Sequence, residues 1–277
     1  MRILVTGSSG LVGRTTVERL ERAGHEVVPF DVDMGADLRS QEDVRRAIRG
    51  VQQVVHLAAV LGWHGESEQD FMEVNLFGTW RLLMEAMCAG VARMVFVSSI
   101  DVLGVFKGHR VPDYLPLDDE HPCYPNTPYA VSKRLAEVLC DDAQRTHGFE
   151  TVVLRPPGVF TETTYGEIKA MREARPSYEW SPFWEYGAFL DVRDLAAAIE
   201  RALLVDYPGA KPFGLAADHS NSSGPTSRQW VQELHPDVEW RGDDRYETAP
   251  FTTLLDNRRT RTALQWAPAH AWERDHS

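Results

Sequence analysis

The sequence has little cysteine and no pattern of metal ligands. Its three cysteines, Cys88, Cys123 and Cys140, stand too far apart for the short spacings of metal sites, and three thiols cannot all pair. The ten histidines form neither an HxxH nor an HExxH unit. The composition therefore predicts free thiols in a reducing compartment and no metal site.

Positive charge and long apolar runs are also scarce. The formal net charge is −12, and an acidic surface repels the phosphates of nucleic acids and of anionic membranes. No stretch approaches the roughly 18 apolar residues of a membrane span. The opening run, Arg2-Ile3-Leu4-Val5, is too short for the core of a signal peptide. We therefore expect a cytoplasmic protein that acts on a small molecule, with no nucleic-acid or membrane partner.

The sequence does contain a repeated alternation of short β-branched runs and helical patterns, which is typical of parallel βαβ units. The predicted strands are Ile3–Thr6, Glu26–Phe30, Val54–Ala59, Arg93–Ser98 and Thr151–Arg155. The predicted helices are Leu11–Ala23, Val44–Arg49, Phe71–Ala89, Tyr129–Gln144 and Asp191–Leu204. This order predicts an α/β fold with a doubly wound, Rossmann-type parallel sheet.

The composition of the sequence changes after residue 155. Residues 161–189 are rich in aromatic residues, glutamate and proline, and they show little periodicity. We predict a dinucleotide-binding Rossmann domain over residues 1–160 and a helix over 191–204 that packs back onto it. Residues 161–190 and 205–277 are predicted to form a small C-terminal lid domain that binds the substrate.

A glycine-rich turn joins the first predicted strand to the first helix. Gly7 permits the tight turn, Gly10 lets the backbone approach a pyrophosphate, and Gly13 allows the helix to pack on the sheet. The helix N-terminus offers N–H groups and the positive end of its dipole to phosphates. The residues predicted to contact a dinucleotide here are Gly7, Ser9, Gly10, Leu11, Val12 and Gly13.

An acidic residue at the end of the second strand indicates which dinucleotide is bound. A carboxylate at Asp31 can accept hydrogen bonds from both hydroxyls of the adenosine ribose, and it repels a 2′-phosphate. NAD is therefore favoured over NADP. Arg14 and Arg39 lie near enough in the sequence to leave NADP open.

Tyr129 and Lys133 form a YxxxK unit at the start of a predicted helix, which places both side chains on one face. A free tyrosine titrates near pH ~10. A neighbouring ammonium, together with a cationic nicotinamide ring, is expected to lower that pKa. Ser98 and Ser99 follow a strand at the sheet edge where open α/β folds bind ligands. The pattern predicts a proton-transfer set of Tyr129, Lys133 and one of these serines.

With further motifs in order, the chain resembles the extended short-chain dehydrogenase/reductase family, also called the NAD-dependent epimerase/dehydratase family. The additional matching segments are Asp37-Leu38, His56-Leu57-Ala58-Ala59, Val74–Thr79, Val97–Gly104, Pro128–Lys133, Leu154–Phe160, Phe189–Ala196 and Leu264–Pro268. Within this resemblance, the distance from Val102-Leu103-Gly104 selects Ser99 over Ser98.

The resemblance implies roles for individual residues. It implies that Ser99, Tyr129 and Lys133 are catalytic. The cofactor-binding residues it implies beyond the glycine turn are Asp31, Asp37, Leu38, Leu57, Ala58, Ala59, Asn75, Val97, Tyr129, Lys133 and Pro156. The expected substrate-binding residues are Ser99, Asp101, Arg155 and Arg193. Further candidates for the pocket lining, for which lid packing is an equal alternative, are Trp63, His64, Thr161, Tyr165 and Trp184. A homodimer paired through the helices over 71–89 and 129–144 is also implied.

Departures from the family pattern bear on the substrate. Leu103 stands where the family usually has a tyrosine, and Pro157 and Gly158 replace a polar pair ending in asparagine. A helix common between Asp31 and Asp37 is missing, and the lid is short. These differences weaken the expectation of a large nucleotide-sugar substrate.

The shared reaction of the family is hydride transfer between C4 of the nicotinamide and a carbinol carbon of the substrate. Ile100 occupies the position of the first of two acids in sugar dehydratases, which argues against dehydration. We expect an NAD-dependent dehydrogenase acting on a sugar, uronic acid or other small hydroxylated compound. The alternatives are a nucleotide-sugar 4-epimerase that retains NAD and a non-catalytic NAD-binding sensor.

Overall fold

The structure is a computed structural model, and it describes residues 1–62, 66–106, 108–174, 185–207, 209, 211–222 and 224–272. At its centre lies a six-stranded sheet in the order β2-β1-β3-β4-β6-β9, in which every pair of neighbouring strands is parallel. The predicted Rossmann-type fold is confirmed.

The strands are β1 Arg2–Thr6, β2 Glu26–Phe30, β3 Gln53–His56, β4 Arg93–Val97, β5 Tyr114–Leu115, β6 Glu150–Arg155, β7 Val159–Phe160, β8 Leu190–Asp191, β9 Phe213–Gly214 and β10 Glu239–Trp240. The helices are α1 Leu11–Arg22, α2 Gln41–Ala47, α3 Glu68–Asp70, α4 Thr79–Cys88, α5 Pro128–His147, α6 Glu162–Ala174, α7 Val192–Leu204, α8 Ser227–Leu234, α9 Arg245–Thr248 and α10 Arg258–Leu264.

The sheet is buried on both faces, as a parallel sheet requires. Successive side chains of a strand point to opposite faces, so Ile3 and Val5 join one apolar cluster and Leu4 joins the other. The first cluster includes residues of α7, and the second includes residues of α2, α4 and α5. This two-sided burial explains the continuous apolar runs of the strands.

Helix α7 packs beside α1 on the first face of the sheet. Its apolar side is fully buried, with Leu195, Ala198 and Ile199 in the same cluster as Ile3. On the outer side, Arg19 Nε donates to Glu200 Oε2 at 2.6 Å. The chain thus returns to the sheet after residue 190.

One short strand from the C-terminal part of the chain belongs to the large sheet. Phe213–Gly214 pairs with Leu154 and Arg155 and forms the sixth strand, although the sequence placed it in the small domain. The residues of a short strand do not show which sheet the strand joins, and the predicted domain boundaries stay a prediction. Elsewhere in the described C-terminal part, β10 pairs with β5. Within the described residues, the structure contains no helix that is both long and apolar enough for a membrane span.

The helix predicted over 71–89 begins earlier and is not uniform. It starts after Ser67, which forms a capping box with Asp70, and it runs to Cys88. Between α3 and α4, Phe71–Gly78 is a π-helix. Such wide turns are rare and are often found at functional sites. The apolar periodicity of the sequence carries no sign of it.

A buried polar group interrupts the apolar second face. The His56 ring nitrogens are hydrogen-bonded to the hydroxyls of Thr6 at 2.7 Å and Thr79 at 2.8 Å. Burial and the nearby Lys133 ammonium lower the pKa of His56 to about 3. The imidazole is therefore neutral in the folded protein at neutral pH.

We expect His56 to make the fold sensitive to acid. Its pKa is about 6.5 in an unfolded chain and about 3 in the folded one, so its contribution is complete above pH 6.5 and decreases as the pH falls toward 3. Between about pH 7.5 and about pH 5, the free energy of unfolding should fall by about 2 kcal/mol from this group alone. Urea unfolding followed by circular dichroism at several pH values measures it.

The variant His56→Asn should be less stable at neutral pH but should show a flatter pH dependence. His147→Asn, at an exposed histidine of α5, should keep the parent slope. If the free energy of unfolding changed equally with pH in the parent and in both variants, His56 would not be the source of the acid sensitivity.

Candidate active site

The glycine turn is closely packed between β1, α1 and the segment after β3. Gly7 has a φ of +71°, and a Cβ on it would lie 2.7 Å from the Ala58 nitrogen. A Cβ on Gly13 would lie 2.0 Å from the Gly7 carbonyl oxygen. Two of the three glycines are therefore required by sterics alone.

The start of α1 is open to a ligand. Gly10 is the N-cap, no side chain among the described residues caps the helix there, and Gly10 and Leu11 are exposed. Asp31 lies at the same turn, because its Oδ2 accepts a hydrogen bond from the Ser9 N–H at 2.9 Å. The structure thus brings the predicted phosphate turn and the predicted ribose acid together.

Asp37 and Leu38 are adjacent in the sequence, but their side chains have different surroundings. Leu38 is buried against Gly78, where a Cβ would lie 3.0 Å from the Leu38 Cβ. The Arg39 Nε and Nη2 donate to the Asp37 carboxylate at 2.6 to 3.1 Å, and Arg39 lowers the pKa of that carboxyl. Arg39, one of two residues considered for a 2′-phosphate, is thus already ion-paired.

The segment after β3 borders the glycine turn. The Thr6 hydroxyl accepts hydrogen bonds from the N–H groups of Leu57 at 3.3 Å and Ala58 at 3.2 Å. These bonds hold the backbone of Leu57 and Ala58 against Gly7. Ala59 follows directly, so this predicted group of cofactor residues lies at the same edge of the sheet.

Asn75, predicted to bind the cofactor, is buried inside the protein instead. Its side-chain amide exchanges two hydrogen bonds with the backbone of Val60, at 2.7 and 3.0 Å, and donates to the Ser132 Oγ at 3.0 Å. These bonds join the π-helix, the segment after β3 and α5. Asn75 therefore positions these elements, and its contact with a cofactor stays a prediction.

Ser99 and Tyr129 meet at the carboxyl end of β4. The Ser99 hydroxyl lies near the Tyr129 phenol and acts to lower its pKa, and the Ser99 Oγ accepts from the Asp101 N–H at 3.1 Å. Ser98 differs, since its side chain is buried and its Oγ has no partner among the described residues. The geometry therefore places Ser99, and not Ser98, near the phenol, as the resemblance implied.

The charges around Tyr129 differ from the expectation. Burial raises the pKa of Tyr129, and the nearby carboxylates of Asp101 and Glu185 raise it further, while the Ser99 hydroxyl acts in the opposite sense. The Lys133 Nζ lies 6.0 Å from the Tyr129 ring centroid. The pKa of Tyr129 is therefore raised and not lowered as expected, because burial and the two carboxylates outweigh the other groups around the phenol.

Lys133 is buried one turn after Tyr129. Its Nζ donates to the Val97 carbonyl at 2.8 Å and lies 4.8 Å from the centroid of the Phe96 ring. Burial lowers the pKa of Lys133 to about 8. Val97, predicted as a cofactor residue, thus holds the lysine. Similarly, the Pro156 carbonyl accepts from the Ile100 N–H at 3.1 Å and supports the turn after Ser99.

Two of the residues predicted to bind the substrate form ion pairs within the protein. Arg155 is buried and forms a two-fold ion pair with Glu137, and its contact with a substrate stays a prediction. The Arg193 guanidinium pairs with Asp191, with Nη2 to Oδ2 at 2.7 Å. Asp101 remains beside Tyr129.

The other candidates for the pocket lining have mixed outcomes. Tyr165 is fully buried and donates to Asp191 Oδ2 at 3.1 Å, which agrees with the packing alternative. Thr161 is half-buried and hydrogen-bonded to Thr164 at the start of α6. Trp63, His64 and Trp184 lie outside the described residues.

Glu185 is a site residue that the sequence did not reveal. Its Oε2 accepts from the Gly158 N–H at 2.7 Å, and its charge acts on Tyr129. A Cβ on Gly158 would lie 2.9 Å from that oxygen. The residue lies in an aromatic-rich segment without periodicity, so no signal could have singled it out.

The family assignment follows from the sequence as a whole. The model of the NAD dependent epimerase/dehydratase family matches residues 3–211, which is more than half of the chain. The chain belongs to that family. The expected resemblance is therefore confirmed.

Members of the NAD dependent epimerase/dehydratase family that resemble this chain differ in what they act on. A 3-beta-hydroxysteroid dehydrogenase of Mycolicibacterium neoaurum is 31% identical over 180 residues, which is 57% of this chain and 48% of that protein. The chain spans about half the length of the curated relatives it matches.

Solved structures of the family agree along nearly the whole chain. A short-chain dehydrogenase/reductase superfamily protein from Agrobacterium tumefaciens, solved with bound NAD, is 27% identical with a TM-score of 0.71, covering 99% of this chain and 94% of that one. The UDP-glucose 4-epimerase of Thermus thermophilus, in complex with NAD, is 26% identical with a TM-score of 0.68, covering 98% and 95%.

We expect the glycine turn to tolerate no side chain at Gly13. A Cβ there meets backbone atoms of Gly7 and Ser8, which cannot move aside as a flexible side chain could. Gly13→Ala should lower the free energy of unfolding by about 3 kcal/mol, as overpacking of a core does. Gly166→Ala, in helix α6 with open space around the position, should raise it by about 0.5–1 kcal/mol.

Urea unfolding of the two variants measures both changes. A Gly13→Ala protein as stable as the parent would show that the turn is not packed as described.

Proposed function

We propose that the protein is an NAD-dependent oxidoreductase that transfers hydride between C4 of the nicotinamide and a carbinol carbon of a sugar, uronic acid or other small hydroxylated substrate. The observation that carries the proposal is the placement of the Ser99 hydroxyl near the Tyr129 phenol, with Lys133 one turn further along α5. This set lies at the carboxyl edge of the strands, where the glycine turn also lies. Open α/β sheets bind ligands at this edge.

The residues at that edge fit NAD. The uncapped N-terminus of α1 and the backbone of Gly10 suit a pyrophosphate, and Asp31 beside Ser9 suits the hydroxyls of a ribose. Solved relatives hold NAD. When bound, NAD supplies the hydride acceptor of the reaction. Because Asp31 repels a 2′-phosphate and Arg39 is paired with Asp37, NADP is the less suitable cofactor.

The side chains of the chain would bind the reacting oxygen and move its proton. The Ser99 hydroxyl holds the substrate oxygen, and Tyr129 exchanges a proton with that oxygen. A tyrosine with a raised pKa is protonated at neutral pH, so it is ready to donate to a carbonyl oxygen in the reductive direction. In the oxidative direction it acts as a base once a cation beside it lowers the pKa. Lys133, one turn further along α5, would hold the nicotinamide ribose as an ammonium.

The proposal is tested by the near-ultraviolet absorbance of reduced nicotinamide. The panel contains free sugars, uronic acids, polyols and nucleotide sugars with excess NAD or NADP, and each product is analysed at the end point. Sustained NADH formation with a free sugar, uronic acid or polyol supports the proposal. An isomerised nucleotide sugar without NADH accumulation would make the protein a 4-epimerase. Tight NAD binding without any turnover would indicate a sensor.

Tyr129→Phe should abolish turnover, because the variant has no phenolic proton to exchange. NAD binding, followed by quenching of tryptophan fluorescence, should stay near the parent value, since the ring is kept. Tyr124→Phe is the matched control, because the Tyr124 hydroxyl bonds to Asp113, away from Ser99. A Tyr129→Phe enzyme that keeps most of its activity would overturn the catalytic assignment.

We further propose that two copies of the chain pair through α4 with its preceding π-helix and through α5. These neighbouring helices expose large apolar side chains, which are Phe77 at 45%, Trp80 at 48%, Met84 at 40%, Leu135 at 41% and Val138 at 48%. A cluster of this kind is typical of an interface.

Trp80→Glu should therefore convert a dimer to a monomer, because it places a charge in the apolar contact. Size-exclusion chromatography with light scattering measures the mass. Leu204→Glu, at a side chain that is 49% exposed on helix α7, should leave the dimer intact. A monomeric parent protein would remove the proposal.

A further inference from the structure

A buried ion pair joins α5 to β6 one helical turn beyond Lys133. The side chains of Glu137 and Arg155 are 1% and 5% exposed. The Arg155 Nε and Nη2 donate to the two carboxylate oxygens at 2.8 and 2.7 Å. Arg134 adds a 3.0 Å bond from the outer side of the helix. Glu137 is thus fixed in one orientation.

Such a pair needs an explanation other than stability. Replacing a buried ion pair with well-packed apolar residues is often neutral or stabilising, so its presence is weak evidence of a structural need. Ala136 and Cys140 of the same helix are fully buried in the apolar cluster on this side of the sheet. An apolar pair would therefore suit the packing between α5 and β6.

The neighbours of Lys133 show what the carboxylate does. From its own helix the lysine is approached by Tyr129, Glu137 and Cys140, and burial raises the pKa of both the tyrosine and the thiol. From β3 it is approached by His56, which is neutral at physiological pH. Strand β4 contributes the Phe96 ring and the Val97 carbonyl. Among these neighbours, Glu137 is the carboxylate, and it is ion-paired with Arg155.

An ammonium without a counter-ion loses its proton more readily when buried. Residues four apart on a helix are neighbours on one face, which places the Glu137 carboxylate beside the lysine without direct contact. Its charge acts to raise the pKa of Lys133, against the effect of burial. Arg155 fixes the carboxylate at that place.

We propose that Glu137, held by Arg155, is a positioning residue that keeps Lys133 protonated. The inference rests on the proposed function in one respect, namely that the redox site uses the lysine as an ammonium. It gives the buried pair a role in the chemistry, although neither member of the pair touches the substrate.

The test is the titration of Lys133 itself, measured without cofactor or substrate. The chain contains four lysines, Lys107, Lys133, Lys169 and Lys211, so NMR of protein labelled with ¹³C at the lysine ε-carbon is simple to assign. Loss of one resonance in Lys133→Arg identifies the signal. We expect a pKa of about 8 in the parent. In Glu137→Gln it should fall by about one unit, which is a tenfold change in the ratio of ammonium to amine.

Two further variants separate charge from folding. Arg134→Gln removes the outer guanidinium and keeps the pair, so its Lys133 pKa should stay at or slightly above the parent value. If Glu137→Gln fails to fold because Arg155 is left unpaired, Glu137→Gln combined with Arg155→Met removes both charges and should lower the Lys133 pKa by a smaller amount, because the repulsion from Arg155 is also removed. An unchanged Lys133 titration in a folded variant lacking Glu137 overturns the proposal.

Activity gives a second measurement if the substrate panel identifies a substrate. The alkaline limb of the pH profile of kcat/KM should move to lower pH in Glu137→Gln by the same amount as the lysine titration. An even loss of activity at every pH, with an unmoved lysine, would show a purely structural role. The titration does not depend on turnover, so failure to find a substrate overturns only the proposed function.

Discussion

The rest of the site depends on the close approach of three backbone segments at the glycine turn. Gly7 lies against Ala58 on one side and against Gly13 on the other, so the first strand, the first helix and the segment after β3 share one contact. The Thr6 hydroxyl adds hydrogen bonds to the same segment. This contact leaves no room for a side chain at Gly7 or Gly13, so it fixes the backbone on which the proposed dinucleotide would lie.

A second set of contacts connects the segment beside the glycine turn to helix α5. Asn75 joins Val60 to Ser132, and the Ser132 Oγ donates to the Tyr129 carbonyl at 2.8 Å. The segment beside the glycine turn is therefore tied to the turn of α5 that carries the phenol. Cofactor binding and proton transfer are proposed to use one connected framework.

The parts of this framework that were predictable are those with a repeating signal. The family, the Rossmann-type sheet and its main strands follow from periodicity and ordered motifs, and both family and fold are confirmed. Single side chains were less predictable, because a sequence motif does not show where a guanidinium or an amide points. Arg155 and Asn75 stand in the expected motifs but bind protein groups. The Glu137 position, four residues after Lys133, offered a helical spacing that could have been used.

The donor and the acceptor of each hydrogen bond around His56 can be assigned. The Thr79 hydroxyl gives its one hydrogen to the Asn75 carbonyl at 2.5 Å, so it accepts from the imidazole, which must carry its hydrogen on Nε2. Nδ1 is then an acceptor and takes the hydrogen of the Thr6 hydroxyl, whose lone pairs receive two backbone N–H groups. Each hydroxyl in this chain of hydrogen bonds is thus oriented by its neighbour. The tautomer of His56 therefore decides which group donates and which accepts at every bond between the glycine turn and the π-helix.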